Sequence, residues 1–214
     1  MGIIQNNIFG AIRGSMGNLV FYQLNGKTVI RQKPGPRQKP ASERQLYQQE
    51  AFRIGQKFVT PLREALNFTL KKKKGGFGSG VNRALSWVIR NAIVNENKKP
   101  ILYPEKVKVT KGWLLGPENL MAERVSSFKI ILNWSPNAWQ GSGREEDRLF
   151  VIVYSPESKK VHTIYEGNYR KSGSQLVELP WTDPEIGKVY IYVSFYSQNG
   201  YVREFSDSVC LGTL

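Results

Sequence analysis

The apolar residues of this 214-residue chain change their repeat once, near Tyr103. Upstream, Leu46, Tyr47, Ala51, Ile54, Phe58, Leu62, Ala65 and Leu66 recur at steps of three and four, and so do Val81, Leu85, Val88, Ile89 and Ala92. Downstream the step is two. The first spacing lines one face of a helix and the second one face of a strand, so neither half can adopt the other's structure without exposing its apolar set. Helices followed by a run of strands define an α+β protein.

The first helical pattern runs over about 43–69, opens on the capping-box sequence Ser42-Glu43-Arg44-Gln45, and contains Pro61, which predicts a kink. The second runs over about 79–96. The loop from Lys71 to Gly80 separates them, so the pair reads as an antiparallel helical hairpin. Ahead of it, Asn18 to Leu24 and Lys27 to Lys33 flank Asn25-Gly26, the strongest short-range signal for a β-hairpin, because a type I′ turn needs two residues with positive φ. Gly10, Gly14 and Gly17 permit tight turns before the hairpin; with no preceding strand they are not a dinucleotide fingerprint. Pro34, Pro36 and Pro40 make the following segment an extended connector.

Beyond residue 103 the alternation predicts strands at 106–110, 127–134, 148–154, 160–165, 175–179, 187–196 and 202–211. Several short strands between turn-rich breaks match an immunoglobulin-like β-sandwich. Trp134 closes one strand, Leu179-Pro180 makes a turn, Gly187-Lys188-Val189-Tyr190 enters a late strand, and Ser206-Asp207-Ser208 lies near the end. In these residues 103–214 resemble a fibronectin type III domain, with a departure at the long loop from Ser135 to Arg144. Taken end to end, the chain resembles an uncharacterised bacterial family. The shared features are a Gly-rich start, the hairpin Gly17-Asn18-Leu19-Val20-Phe21-Tyr22 with Asn25-Gly26 and Arg31, the proline connector, a Gln-rich helix start, and Ser206-Asp207-Ser208 with Gly212. That resemblance implies architecture and no activity. The expected fold is an N-terminal β-hairpin and a helical hairpin, residues 1–100, followed by a seven-stranded immunoglobulin/fibronectin-III-like β-sandwich, residues 101–214.

Charge follows the same division. Residues 1–100 carry 18 Lys and Arg against 4 Asp and Glu, whereas residues 101–214 carry 13 against 13. Such local excess predicts a polyanionic partner for the first half, nucleic acid or an acidic protein surface. The residues expected to make that contact are Arg13, Lys27, Arg31, Lys33, Arg37, Lys39, Arg53, Lys57, Lys71, Lys72, Lys73, Lys74, Arg83 and Arg90. They could follow a phosphate backbone without a pocket, and no helix-turn-helix or RNA-recognition signature adds sequence specificity. Phe21, Tyr22, Tyr47, Phe77 and Trp87 lie near these cations in sequence, although most such aromatics belong to cores. An alternative use of the hairpin is strand pairing between subunits of a filament or particle, because a lone hairpin is marginally stable.

Chemistry is harder to find. No stretch approaches the roughly 20 apolar residues of a membrane span, and the start lacks the features of a secretory signal, so the expected compartment is the cytoplasm, with leaderless export as the exception. His162 and Cys210 are the only residues of their kinds and make no metal cluster; Cys210 reads as a small core residue. Glu145-Glu146-Asp147, flanked by Arg144 and Arg148, reads as a solvated loop. No catalytic, cofactor-binding or metal-ligating set is expected, and the chain is read as a binding or structural protein rather than an enzyme.

Overall fold

The computed structural model describes residues 2–4, 12–24, 26–36, 39–70, 78–181, 188–199 and 202–213. The chain divides into two compact units, residues 1–42 and 43–214. The boundary expected near Pro100 therefore falls inside the second unit, where helices and strands share a core.

In the first unit, β1 (Gly2–Ile4), β2 (Gly14–Met16), β3 (Leu19–Leu24) and β4 (Lys27–Gln32) form an antiparallel sheet in the order β1-β4-β3-β2. The predicted hairpin is its centre. Its register runs from Leu19 opposite Gln32 to Leu24 opposite Lys27, and Gly26 supplies a left-handed residue at φ 77°. Asn25, the other turn residue, lies outside the described residues. The flanking strands β1 and β2 were not anticipated, because three residues carry too little alternation to read. Pleating places Val20, Tyr22 and Leu24 on one face with Lys27, Val29 and Arg31, and Leu19 and Phe21 on the other with Thr28 and Ile30. Both faces thus hold apolar side chains.

The second unit opens with α1 (Glu43–Val59), α2 (Arg63–Thr69) and α3 (Gly80–Asn91). The single kinked helix expected over 43–69 is two helices. Thr60, Pro61 and Leu62 leave helical geometry between them, since the proline ring both lacks a donor and crowds the preceding turn. α3 stops at Asn91, short of the expected 96. The chain then reverses through β5 (Ile93–Glu96) and β6 (Lys99–Leu102), whose two-residue turn Asn97-Lys98 has φ 48° and 64°. A capped C-terminus and a left-handed pair end the helical period earlier than the apolar spacing indicated.

A short 3-10 turn, Pro104–Lys106, precedes the remaining strands: β7 (Glu118–Ser126), β8 (Lys129–Ser135), β9 (Arg148–Ser155), β10 (Lys160–Ile164), β11 (Ser174–Glu178), β12 (Tyr190–Asn199), β13 (Val202–Phe205) and β14 (Val209–Thr213). The strand expected at 106–110 is absent as a ladder strand. Instead, the closing Ser206-Asp207-Ser208 grips this segment: Ser208 Oγ accepts from Val109 N at 2.9 Å and Thr110 N at 3.4 Å, and Thr110 Oγ1 donates to Ser206 O at 2.8 Å. Asp207 adds an ion pair with Lys108 and accepts from Gly112 N at 3.1 Å. Those bonds also interrupt the strand expected over 202–211, which becomes β13 and β14. β7 was not anticipated: with alternate positions mostly exposed and the chain irregular at two points of its register, it offers little period-two signal.

The strands form a three-stranded sheet, β11-β8-β7, and a five-stranded sheet, β10-β9-β12-β13 with β14 also on β12, all antiparallel. Ile130, Leu132, Trp134 and Val177 from the first sheet meet Leu149, Val151, Val153, Ile191, Val193 and Phe195 from the second in one hydrophobic cluster. The alternate residues Phe150, Ile152, Tyr154, Tyr192 and Tyr196 point the other way and pack with Phe58, Val59, Leu62, Leu66, Leu85 and Val88 of the helical segment in a second cluster. Helices therefore cover the outer face of the five-stranded sheet. This explains why β9 is buried almost throughout, and why Leu149 to Tyr154 is a continuous apolar run rather than an alternating one. The close approaches depend on glycine: a Cβ at Gly80 would lie 2.1 Å from Leu66 O, and one at Gly112 would lie 1.8 Å from Phe205 O.

Candidate functional site

The structure distributes the predicted cations unequally. In the first unit Arg13, Lys27, Arg31, Lys33 and Lys39 are exposed, and Arg31 lies over the Tyr22 ring at 5.7 Å. The sequence explains why they remain unneutralised within this unit: residues 1–42 contain six Lys and Arg and no Asp or Glu, the first acid being Glu43. The sixth, Arg37, and the tetralysine Lys71, Lys72, Lys73 and Lys74 fall outside the described residues, as does Phe77.

In the second unit the predicted cations are partly committed to structure. Arg53 pairs with Glu50 at 2.6 Å one helical turn back, which raises the guanidinium pKa and lowers that of the carboxylate, chiefly through their hydrogen bonds. Arg83 donates to Leu70 O and Gly78 O, satisfying carbonyls beyond the end of α2. Arg90 donates to Ser86 O at 3.0 Å and to Ser86 Oγ on its own helix. Lys57 and Arg53 converge with Lys159, which was not anticipated, around a recess of about 250 Å³ floored by Phe58, Leu102 and Tyr154. Sequence distance hid Lys159, because a β-turn more than a hundred residues away brings it there. The aromatic residues divide as their sequence contexts imply: Trp87 lies beneath Lys111 at 5.0 Å and Lys108 at 5.7 Å, and Tyr47 is half-buried.

A second centre had no advance signal. Arg170 is 0% exposed and Asp147 1%, with Arg170 Nη2 and Asp147 Oδ2 3.0 Å apart. The acidic loop expected to be solvated thus contains a buried member. Arg170 Nε also donates to Asp147 Oδ2 at 3.0 Å, Nη2 to Leu115 O at 2.7 Å, and Nη1 to Asn137 Oδ1 and Gly116 O. The guanidinium carbon lies 4.0 Å from the Phe195 ring centroid, and Trp134 Nε1 donates to Arg170 O at 2.8 Å. Burial lowers the Arg170 pKa, opposed by the charge and hydrogen bond of Asp147. This network ties the loop before β7 to the loop before β9.

Three further titratable groups, Cys210, Tyr154 and His162, are shifted by their packed surroundings. Burial pushes Cys210 up to about 12 and Tyr154 up to about 12, and lowers His162, which meets Trp181 edge-on at 6.2 Å. A thiol so raised is a poor nucleophile at neutral pH. Among the described residues no group of three His, Cys, Asp or Glu is placed to hold a metal ion, and no helix is long and apolar enough to cross a membrane.

The molecule is an α+β protein that pairs an acid-free cationic sheet with a unit of helices and two stacked antiparallel sheets. It belongs to a family described as Family of unknown function (DUF6266), matched over residues 11–212. No curated protein matches the chain.

Proposed function

We propose that this is a non-enzymatic binding protein whose basic N-terminal half contacts nucleic acid or another polyanion without sequence specificity. One observation carries the reading: residues 1–42 hold six cations and no carboxylate, and the five described ones are exposed. With no internal counter-charge, this sheet attracts polyanions over about a Debye length, roughly 8 Å in physiological salt. Within the second unit, Arg53, Lys57 and Lys159 form a further basic cluster. Counterion release makes binding fall steeply with salt. Anisotropy of a labelled oligonucleotide across a salt series tests this. The expected result is binding at low ionic strength with a negative log–log slope, and absence of binding at low ionic strength overturns the proposal.

A second reading, a subunit of a homo-oligomeric assembly, draws on the first unit's sheet. Its two faces both carry apolar side chains, and its edges are the short strands β1 and β2, whose outer backbone groups can extend a ladder. Light scattering over a concentration series, with and without residues 1–40, distinguishes it. Mass that rises only with the segment present supports assembly, and a strict monomer in both excludes it.

The strand order also supports an immunoglobulin/fibronectin-III-like reading of the two stacked sheets. Counting from β7, the first, second and fifth strands form one sheet, and the third, fourth and sixth lie in the other with the divided last strand. Trp134 on the second strand packs against Phe195 at 5.7 Å in their common core.

A further inference from the structure

Two tryptophans of the neutral second half are turned to solvent, Trp113 at 66% exposure and Trp139 at 65%. Large indoles are normally covered, so two on adjoining loops require a reason. Neither loop is slack. Ser142 Oγ donates to Trp113 O at 3.3 Å and accepts from Leu115 N at 2.9 Å, and Asn137 Nδ2 donates to Gly116 O at 3.0 Å. The buried Arg170 guanidinium holds Leu115, Gly116 and Asn137 from below. Trp139 itself adopts φ 65°, a left-handed conformation uncommon for a bulky residue, and its Nε1 donates to Glu145 Oε1 at 3.1 Å while Arg144 lies 5.1 Å from the ring centroid. A left-handed backbone at Trp139 and the buried guanidinium thus hold the loops that carry the two exposed indoles.

Between these loops and the β12–β13 hairpin is a cleft of about 420 Å³, lined by Trp113, Leu114, Ser142, Arg144, Ser197 and Glu204. Its chemistry differs from the basic face of the first unit. Arg144 and Glu204 bring opposite charges, so the cleft offers donors and acceptors with no strong preference for either sign of ligand. Groups that donate and accept at once, hydroxyls above all, suit that mixture. A pyranose ring adds an apolar C–H face that packs on the electron-rich face of an indole, whereas a phosphate-rich ligand meets Glu204 unfavourably.

The geometry points to the cleft beside Trp113 as a binding site for a neutral oligosaccharide. Arg144, Ser197 and Glu204 engage hydroxyls and Trp113 provides the stacking surface, while Trp139 lies outside the lining and meets it through Arg144, 5.1 Å from its ring centroid. The cleft shares no residue with the proposed polyanion-contacting set, so either proposal can fail without the other.

The test titrates the full chain with cellohexaose, maltohexaose and chitohexaose to millimolar concentrations, by calorimetry and tryptophan fluorescence. Saturable binding of at least one is expected, weakened roughly tenfold or more by Trp113→Ala. The Trp113 side chain is exposed, so the melting temperature of this variant should match that of the parent and exclude unfolding as the cause. Lys27→Ala with Arg31→Ala should leave sugar binding unchanged. No saturable binding to any of the three, or binding that survives Trp113→Ala, overturns the proposal, as does a protein ligand that takes the cleft while the sugars do not.

Discussion

Arg170 and Asp147 form an ion pair withdrawn from water, 3.0 Å apart and at most 1% exposed, and its guanidinium is also the hub of two loops. Desolvating two charges is expensive, and the pair persists because the guanidinium finds carbonyl and amide acceptors as well as the carboxylate. Removing one partner leaves the other charge buried without compensation. Arg170→Met is expected to destabilise the protein by about 3 to 5 kcal/mol, a drop of roughly 10 °C in melting temperature. Asp147→Leu in the same chain should recover part of that loss. Calorimetric melting of the two single variants and the double variant measures the coupling.

The cationic sheet carries a separate prediction, which rests on the polyanion proposal. Lys27→Ala together with Arg31→Ala should reduce the magnitude of the log–log salt slope of oligonucleotide binding by about 2, one for each phosphate contact removed. Arg83→Ala should leave the slope unchanged, because that side chain is committed to Leu70 O and Gly78 O.

Gly112 is expected to be intolerant of a methyl group. A Cβ there would lie 1.8 Å from Phe205 O, and backbone must move to admit it. Gly112→Ala should cost about 3 kcal/mol, read from the denaturant midpoint. Gly116→Ala is the matched control, since its Cβ would lie 3.9 Å from Asp207 O and displace nothing.

His162 predicts the direction of pH dependence. Burial lowers its pKa below the usual 6.5, so as pH falls the unfolded chain takes up this proton first. Its contribution to stability is complete above pH 6.5 and is lost as pH falls through the depressed folded value. Asp207 adds loss at lower pH. Burial raises its pKa, but hydrogen bonds from Lys108 and Gly112 N and the charges of Lys108 and Lys111 outweigh that and leave it lowered. Its contribution is thus lost only below the ordinary carboxylate range. Urea midpoints measured from pH 8 to pH 5 should decline, and His162→Gln should flatten the upper part of that decline.

Local pattern made several elements legible in the sequence. The β3–β4 hairpin, the helical stripes from Ala51 to Leu66 and from Val81 to Ala92, and β8 to β12 follow from periodicity and turn residues acting within a few positions of one another. The acid-free character of residues 1–42 is likewise a fact of sequence alone. Local pattern could not divide the long helix at Pro61 or end α3 at Asn91, because a proline's effect and a helix stop depend on what the freed chain can pack against. It also missed β7, whose outward face gives no alternation, and the three-residue β1 and β2, which exist only through their partners.

Only the tertiary structure decided that the helices cover the second face of β9 and β12, making Leu149 to Tyr154 apolar on both sides. Only it brought Arg170 to Asp147 across 23 residues and to Leu115 across 55, turning an apparently solvated acid into a buried one and tying together the loops that carry Trp113 and Trp139. Periodicity reports which side of an element is apolar. The identity of what covers that side, and of the charge that meets another charge, is set by long-range packing that no local spacing encodes.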